Sequence, residues 1–351
     1  MSKLEEDIRK AIEITKCPHN KFDEMKEFSK IYQNTSENIK LYMPFLKGDY
    51  KKALLPTASG DHQLEAILIG INNITCFDLN RLARYFSELK FGAIKNLTRE
   101  EYIYFMYEDM LNKNIFDFFK NSLDEDISIF WEELYKNCNI EYIRTELFRY
   151  LGCTKSNHSI KGIDFSKYCA ENFTRYLEKE NYKLIQDRLQ NTNIEYIESN
   201  LLNLPTILND NYDLINLTNI YEYINKDIIY GGAERFINVF KDLISYLNDN
   251  GKILLTYLYR CDLNDIKKYG NKGFLYLQIL FILENSMLGY WHDIIANKKN
   301  KKTTMDKCYA FRNAQLLRYI KCLNIDLHEL DGVGIGCGKG NKDMVLVYKK
   351  I

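Results

Sequence analysis

The feature that most constrains this chain is an alternation of short apolar runs with helical patterns. Residues 52–55 form a short, mostly apolar run that ends at a small-residue turn, and a helical pattern follows over residues 62–69. A second apolar run, residues 74–77, ends in the acidic residue Asp78. Two runs of strand length separated by one helix are typical of a βαβ unit with parallel strands. The sequence therefore predicts an α/β fold.

The same alternation returns in the second half of the chain. We expect further strands in three segments, each followed by polar residues: 194–198, 212–217 and 252–258. Residues 248–251 are expected to form a turn, after a helix that spans about 232–247. Residues 325–330 and 344–348 are expected to close the sheet as an antiparallel hairpin. The predicted fold is a Rossmann-like, doubly wound, mostly parallel sheet with an antiparallel C-terminal edge hairpin and a helical insertion.

The insertion is predicted from a change in hydrophobic periodicity. Residues 81–190 show only helical spacing, with a new helix start at Thr98, where Glu101 completes a capping box. Residues 1–48 also have helical spacing, including Phe22, Met25, Phe28 and Ile31, and are expected to form an N-terminal helical segment that caps the site. Residues 49–80 and 191–351 would then form the sheet domain.

Charge and composition exclude several classes of protein. The chain of 351 residues carries 48 basic and 48 acidic side chains, so it lacks the positive charge typical of nucleic-acid binders. The sequence contains no run of about 18 apolar residues, so no transmembrane segment is predicted. The nine cysteines are scattered and form no Cys-x-x-Cys pair, which favours reduced thiols over a metal site. We expect a cytoplasmic protein without a metal; the sequence does not indicate its oligomeric state.

A nucleoside site is predicted at the first turn. Small residues let the backbone approach a ligand, the following helix offers free N–H groups, and an acid after the second strand hydrogen-bonds ribose hydroxyls. Here the turn contains Thr57, Ser59, Gly60 and Asp61, and Asp78 lies 18 residues after Gly60, close to the expected spacing of about 20. Leu79 and Asn80 follow Asp78 and belong to the same predicted site.

The turn favours a ligand without a phosphate. It has one glycine where a dinucleotide-binding turn has three, so NAD and FAD are disfavoured. S-adenosylmethionine is a suitable ligand, because it joins adenosine to a zwitterionic amino acid through a sulfonium. Asp61 would then face the ammonium group of the cofactor.

Later segments resemble class I S-adenosylmethionine-dependent methyltransferases. Residues 212–224, which include Thr218 and Asn219, resemble the fourth-strand motif of that class, and residues 247–255 resemble the approach to the fifth strand. Asn200 and Leu201 follow the third strand, where the adenine edge is usually contacted. The resemblance implies a Rossmann-like domain with S-adenosyl-L-methionine as its cofactor.

A narrower resemblance covers residues 50–105. Its motifs are Thr57-Ala58-Ser59-Gly60-Asp61-His62, Asp78-Leu79-Asn80, Glu88-Leu89-Lys90, Ala93-Ile94 and Leu97. This region is similar to the aminocarboxypropyltransferases that begin betaine-lipid synthesis from S-adenosylmethionine and diacylglycerol. The resemblance implies transfer of a 3-amino-3-carboxypropyl group. The lipid-binding part of that family is not recognisable, so the acceptor is not carried over.

The candidate residues follow from these positions. The predicted cofactor-binding residues are Thr57, Ser59, Gly60, Asp61, Asp78, Leu79, Asn80, Asn200, Leu201, Thr218, Asn219 and Tyr32. The predicted catalytic residues, which are expected near the acceptor, are Asn219, Tyr221, Glu222 and Tyr257. Tyr32 and Glu37 of the N-terminal segment could close over the ligand, and an aromatic ring beside a sulfonium adds a cation–π attraction of about 0.5–2 kcal/mol.

Alternatives remain open at this point. The transferred group could be a methyl, and methyl transfer is the commoner reaction on such folds. The domain could also be a non-catalytic nucleoside-binding or scaffolding module. The acceptor would be a small molecule, a lipid or a peptide rather than a nucleic acid. His292 is interpreted as a structural histidine, with a general base as the alternative, and the glycines between residues 332 and 340 are expected to form a hairpin loop.

Overall fold

The computed structural model describes most of the first two thirds of the chain and parts of the remainder. The described residues are 2–16, 27–35, 37–46, 48–149, 160–221, 232–258, 325–331 and 342–350, with single positions between 264 and 323. These residues form two compact units, Met1–Asn200 and Leu201–Ile351.

Three parallel strands organise the first unit. They are β2 (Lys52–Pro56), β3 (Asn73–Asp78) and β5 (Asn193–Glu198), and β3 lies between the other two. Their register aligns the ends of β3 and β5, because Asp78 pairs with Glu198. A separate pair of short parallel strands joins β1 (Ile31–Tyr32) to β4 (Phe148–Arg149). The strands predicted from the apolar runs are confirmed.

The first unit contains ten described helices. In chain order they are α1 (Lys3–Lys16), α2 (Ile39–Tyr42), α3 (Asp61–Leu68), α4 (Arg81–Asn96), α5 (Arg99–Ile103), α6 (Lys113–Phe119), α7 (Glu125–Asn137), α8 (Ile140–Glu146), α9 (Ile160–Phe173) and α10 (Lys179–Leu189). Of these, α3 contacts β2 and α4 contacts β3. One turn of π-helix, Tyr104–Glu108, continues α5. The segment between β3 and β5 is therefore mainly helical, as predicted.

Local sequence explains where the key helices begin. Gly60 precedes α3 with a φ of +83°, a left-handed conformation that glycine adopts without a steric penalty. Asn80 caps α4, since its side-chain oxygen accepts a hydrogen bond from the N–H of Leu82. Thr98 and Glu101 form the predicted capping box at the start of α5.

The prediction for the N-terminal segment is only partly correct. Helix α1 forms and packs against α7 and α8. Phe22 and Met25 lie outside the described residues, whereas residues 27–35 are irregular or extended, and Ile31 belongs to β1. Phe28 and Ile31 have helical spacing in the sequence, but neither lies in a helix. Both side chains are nevertheless buried. Tertiary burial, not an amphipathic helix, accounts for their hydrophobic character.

The second unit combines parallel and antiparallel pairing. Strand β6 (Tyr212–Asn216) pairs in parallel with β7 (Leu247–Leu258), and helix α11 spans Gly232–Ser245. Strand β9 (Lys342–Lys349) pairs antiparallel with both β7 and β8 (Ile325–Asp331). This arrangement confirms the predicted C-terminal hairpin and the α/β, mostly parallel, Rossmann-like class of the chain.

The predicted turn at residues 248–251 is instead a bulge inside β7. The pairing jumps from Tyr212 with Leu247 to Leu214 with Lys252, so the extra residues loop out of the ladder. Asn250 has a φ of +63°, a conformation that asparagine tolerates better than most residues. Residues 248–251 have the composition of a turn, but they lie within β7 as a bulge.

Two predicted segments fall largely outside the part of the chain that the structure describes. The largely helical segment expected over residues 263–320, with His292, and the glycine-rich loop of residues 332–340 lie outside the described residues apart from single positions. Among the residues that are described, none of the helices is both long and apolar enough to cross a membrane.

Candidate nucleoside-binding site

The turn after β2 is tied to the acid that ends β3. Thr57 donates its N–H to the carbonyl of Phe77 at 2.9 Å, and Ala58 donates its N–H to Asp78 Oδ2 at 3.0 Å. Gly60 closes the turn with an N–H bond to the carbonyl of Thr57. Ala58 has a φ of +44°, which is uncommon for a residue with a side chain. The turn and Asp78 therefore form one structural unit at the carboxyl edge of the strands.

Asp78 is a carboxylate held by backbone amides. Its Oδ1 accepts a hydrogen bond from the N–H of Asn80 at 2.9 Å, while Oδ2 accepts the bond from Ala58. Burial raises the pKa of Asp78, and the amides of Asn80, Ala58 and Leu79 act in the opposite direction. The side chain keeps acceptor capacity, because an ionised carboxylate has about four lone-pair sites. Asp78 is thus suited to accept hydrogen bonds from a pair of ribose hydroxyls.

A cavity of about 260 Å³ opens beside Asp78. Its lining comes from the end of β3, the end of β5, the start of α4, Asp126 of α7, and α1, which contributes Lys3, Leu4 and Asp7. Thr57 and Asn80 of the predicted site also line it. The volume lies just below the range of about 300–1,000 Å³ typical of small-molecule sites, so it suits part of a ligand, such as a nucleoside.

Arg81 connects α1 to the end of β5, because its guanidinium bonds to a carboxylate on each. Its guanidinium donates to Asp7 at 2.9 Å through Nε and to Glu198 Oε1 at 2.9 Å. The hydrogen bond with Asp7 raises the pKa of Arg81, with burial opposing it. Lys3 also pairs with Glu198, whose pKa lies below its ordinary value because the Lys3 and Arg81 bonds outweigh burial. Helix α1 therefore covers the cavity through charged contacts.

Asp61 has a different environment from the one predicted. Its carboxylate accepts four hydrogen bonds and is fully buried. The donors are the Thr35 N–H at 2.6 Å, Ser59 Oγ at 2.9 Å, Lys90 Nζ at 2.8 Å and the Tyr176 hydroxyl at 2.8 Å. Four donors fill the acceptor sites of a carboxylate. Asp61 therefore joins the turn to the protein interior, and it does not present an open acid to an ammonium group.

Lys90 is the charged partner of Asp61. Its side chain is fully buried, and Nζ also donates to the carbonyl of Gln33 at 3.1 Å. Burial lowers the pKa of Lys90, and the Asp61 carboxylate opposes this shift. The two motifs Ser59-Gly60-Asp61 and Glu88-Leu89-Lys90 are thus in direct contact.

Asn80 and Tyr32 have structural partners. Besides capping α4, Asn80 exchanges hydrogen bonds with Ser29, accepting from its N–H at 3.1 Å and donating to its carbonyl at 2.8 Å. Asn80 thereby fastens the chain before β1 to the carboxyl edge of β3. Tyr32 is half-buried in β1, where it pairs with Arg149. A ligand contact of Tyr32 stays a prediction.

A buried pair of titratable side chains lies next to the turn. His62 follows Asp61 in the first turn of α3, and its Nε2 lies 3.6 Å from Glu37 Oε2, with 6% and 3% of the two side chains exposed. Neither ring nitrogen of His62 has a hydrogen-bond partner within the described part of the chain. The Tyr42 ring lies nearly parallel to the imidazole, with centroids 6.5 Å apart.

The predicted residues after β5 and β6 are described separately. Asn200 accepts a bond from Ser199 Oγ at its carbonyl. In the second unit, Leu201 is buried, and Thr218 has a φ of +47°, which is strained for a β-branched residue. Thr218 donates its N–H to Asn216 Oδ1 at 2.9 Å, and Asn219 beside it is half-buried.

Of the other predicted catalytic residues, the structure describes the side chain of Tyr221 and the backbone of Tyr257. Tyr221 is fully buried and packs edge-on against Phe236 at 5.0 Å, so its ring belongs to the core of the second unit. Glu222 lies outside the described residues. Tyr257 is part of β7, and only its backbone is described.

Sequence reasoning missed several residues that the fold brings to this region. They are Asp7, Arg81 and Glu198 at the cavity, together with Lys90 beside the turn. Lys90 lies on the apolar face of α4, between Phe86 and Ala93. This position in the sequence indicates a buried charge. No comparable pattern marks Asp7, because its partner is distant in sequence.

The space around the turn is confined and contains unpartnered polar atoms. No group of three or more metal-binding side chains occurs among the residues that the structure describes. A Cβ on Gly60 would lie 3.2 Å from Ser87 Cβ and 3.3 Å from Phe91, so any other residue here would push the turn and α4 apart by a few tenths of an ångström. The unpartnered His62 nitrogens are a further place where a polar ligand would be accommodated.

Comparison with known proteins gives only distant similarity. No protein-family model matches the chain, and no curated protein matches it. Among solved structures, it is similar to the N-methyltransferase NodS from Bradyrhizobium japonicum, at 7% identity and a TM-score of 0.35 over 89% of this chain and 92% of that one. A putative O-methyltransferase from Klebsiella pneumoniae has 8% identity and a TM-score of 0.36 over 100% and 91%. The plantazolicin methyltransferase BpumL, in complex with a pentazolic desmethylPZN analog and SAH, has 11% identity and a TM-score of 0.33 over 90% and 82%.

Proposed function

We propose that the chain is an S-adenosyl-L-methionine-dependent transferase whose first unit binds the adenosine of the cofactor. The observation that carries this proposal is the bond from the Ala58 amide to Asp78, which places a carboxylate and a glycine turn at adjacent strand ends beside a cavity. In open α/β sheets ligands bind at the carboxyl ends of the strands, and an acid in this position holds the ribose.

The surrounding residues support a nucleoside without phosphates. The cavity is lined by acids as well as bases, including Asp78, Glu198 and Arg81, and so lacks the uniformly positive lining that a pyrophosphate favours. Arg81 is already paired with two carboxylates. The turn has one glycine and keeps its own internal bonds.

The protein's role in such a reaction would be binding and positioning. The cofactor, when bound, supplies an activated carbon on a positively charged sulfur. Asp78 would hold the ribose, while Gly60 allows the turn to lie close to α4. The rate then depends on how well the chain aligns the acceptor with the reacting carbon, at about 3–3.5 Å, and on the exclusion of water.

The transferred group is the finer part of the proposal. Transfer of the 3-amino-3-carboxypropyl group is favoured by the motifs of residues 57–62 and 88–90, which meet through the Asp61–Lys90 pair. Methyl transfer is the alternative, since the same cofactor supports both. Mass spectrometry of the spent cofactor separates them: methylthioadenosine indicates transfer of the amino-acid arm, and S-adenosylhomocysteine indicates transfer of the methyl group. The acceptor is a small molecule, a lipid or a peptide.

Binding calorimetry tests the proposal without knowledge of the acceptor. The wild-type protein should bind S-adenosylmethionine and S-adenosylhomocysteine, and Asp78→Ala should weaken both by at least tenfold, because bonds to a charged group contribute about 1.5–3 kcal/mol. Asp49→Ala is the matched control, since this acid is 87% exposed ahead of β2.

Two outcomes would contradict the proposal. If neither compound binds at millimolar concentration, the chain is not a transferase of this kind. If adenosine binds but the sulfur compounds do not, the alternative of a non-catalytic nucleoside-binding module is favoured. Equal affinities of the wild type and Asp78→Ala would remove Asp78 from the site.

A further inference from the structure

Helix α1 carries large apolar side chains that the described part of the chain does not fully bury. The residues that this helix buries are small or polar: Asp7, Ala11 and Thr15. Three large apolar residues at a spacing of four are only half-buried: Leu4, Ile8 and Ile12. An amphipathic helix on a globular protein normally turns such residues towards the core. This stripe of α1 therefore keeps apolar surface that a partner can cover.

The apolar stripe lines a groove of about 690 Å³ between α1 and α7. Helix α7 contributes Ile129 to the lining, and this residue is 36% exposed. Grooves with apolar walls bind the apolar face of a further helix, which inserts residues at spacings of three and four. The shape of the groove therefore favours an amphipathic helix as its occupant.

The charged residues of α1 that line the groove indicate which helix this is. In chain order they are Glu5, Arg9, Glu13 and Lys16, so their signs alternate from negative to positive. Two copies of α1 lie antiparallel when a two-fold axis runs across the helix. The reversed order of signs is positive, negative, positive, negative, and each charge then faces an opposite one. A parallel arrangement would place like charges side by side, so the charges select the antiparallel one.

One register satisfies the apolar residues and the charges together. When Ile8 of one copy faces Ile12 of the other, Arg9 lies opposite Glu13, and the first charge of one helix lies opposite the last charge of the other. At a rise of about 1.5 Å per residue, all these pairs fall within about 1.5 Å of a common register. The chain has 48 basic and 48 acidic side chains, so two copies do not repel each other through net charge.

We infer that the groove between α1 and α7 is a homodimer interface, in which α1 of a second copy lies antiparallel to α1 of the first. Ile8 and Ile12 form its apolar centre, and pairs between Arg9 and Glu13 lie along its edge. Exposed ion pairs contribute little affinity each, so the apolar stripe holds the two copies together and the charges set their direction. We expect a Kd on the order of micromolar, because a single helix face buries a limited area.

Sedimentation velocity of the full chain between about 1 and 100 µM measures this dimer. The wild type should dimerise within this range of concentration. Ile12→Gln should raise the Kd at least tenfold and leave the circular dichroism spectrum unchanged, because the residue is already half-exposed. Phe118→Gln is the matched control, since it removes an apolar side chain that is 73% exposed on α6, outside the groove, and should not change the Kd.

Two charge reversals test the antiparallel register. Arg9→Glu and Glu13→Arg each place like charges opposite one another in a homodimer, so each variant alone should dimerise at least tenfold more weakly than the wild type. An equimolar mixture should form a heterodimer about as tight as the wild-type dimer, because every reversed charge then faces an opposite one. Arg9 and Glu13 also pair within one helix, and that repulsion persists in both variant chains. Restored affinity can therefore come only from contact between copies.

Three results would overturn the inference. A wild type that stays monomeric at about 100 µM does so whether or not any variant folds. A dimer with an unchanged Kd in folded Ile12→Gln would lie on another surface. A mixture of Arg9→Glu and Glu13→Arg that dimerises no more tightly than either variant alone would exclude the antiparallel register. None of these results alters the expected binding of the cofactor at Asp78, so the proposed function is tested separately.

Discussion

Lys90 and Asp61 form an ion pair of 2.8 Å in which both side chains are fully buried. Asp61 follows the glycine turn directly, and Lys90 lies on α4, so the pair fastens the turn to the helical part of the first unit. Tyr176, after α9, donates its hydroxyl to the same carboxylate. The position of the proposed cofactor turn is therefore set by an ion pair that is buried in the protein interior.

The first prediction concerns this pair. Asp61→Asn should lower the free energy of unfolding by about 3–5 kcal/mol, because it leaves the Lys90 ammonium buried without a counter-charge. Urea denaturation followed by circular dichroism measures the change. The double variant Asp61→Asn with Lys90→Met should be more stable than Asp61→Asn alone, since no buried charge remains. Lys183→Met, at a lysine that is 75% exposed, is the control. Stability of the double variant below that of Asp61→Asn would contradict this account.

The second prediction concerns pH. Burial raises the pKa of Asp78 above the ordinary value of 3.8, and carbon-13 NMR of its carboxyl should give a midpoint above that value. Because the folded state then holds the proton more tightly, the contribution of this group to stability is fully present below 3.8 and is lost as pH rises through the raised pKa.

Cofactor affinity should follow the opposite trend. If the ionised carboxylate holds the ribose, the affinity for S-adenosylhomocysteine falls about tenfold for each pH unit below the pKa of Asp78. Calorimetry at several pH values measures this slope, and Asp78→Asn should remove it. An affinity that is independent of pH across the NMR midpoint would show that Asp78 does not bind the ligand in its ionised form.

The third prediction compares two glycines at the ends of α3. Gly60→Ala and Gly70→Ala should each destabilise the protein by about 1–3 kcal/mol, because both residues have positive φ values, +83° and +104°. Only Gly60→Ala places a methyl group against Ser87 and Phe91, whereas a Cβ at Gly70 meets nothing within 4 Å. We therefore expect Gly60→Ala alone to weaken S-adenosylhomocysteine binding, by at least tenfold. Equal affinities of the two variants would argue against the turn as a binding element.

The fourth prediction concerns the helix that covers the cavity. Asp7→Asn should lower the free energy of unfolding by about 2–3 kcal/mol, because it weakens charged hydrogen bonds to Arg81 in a largely buried setting. Amides of α1 should also exchange faster with deuterium. Glu13→Gln, which weakens the exposed pair with Arg9 on the same helix, should change the free energy by less than about 1 kcal/mol. Unchanged α1 exchange in Asp7→Asn would show that other contacts hold the helix.

Local patterns were enough for the elements around the proposed site. The apolar runs predicted β2, β3 and β5, and the Thr98–Glu101 spacing predicted the start of α5, because strand alternation and helix capping act over a few residues. The segment around Ile31 was predicted incorrectly, since its side chains are buried by distant partners such as β4. The bulge at residues 248–251 has the composition of a turn and was mistaken for one.

The sequence by itself determined the βαβ unit, the glycine turn and the acid at the end of β3, because each depends on local backbone geometry and on spacing along the chain. Only the tertiary structure decided which acids lie open and which are paired. The sequence predicts Asp61 as the partner of an ammonium, but in the structure its carboxylate already accepts hydrogen bonds from Lys90, Tyr176, Ser59 and Thr35. Such pairing depends on charges that are far apart in sequence and adjacent in space, and burial makes it decisive because an unpaired charge is costly there.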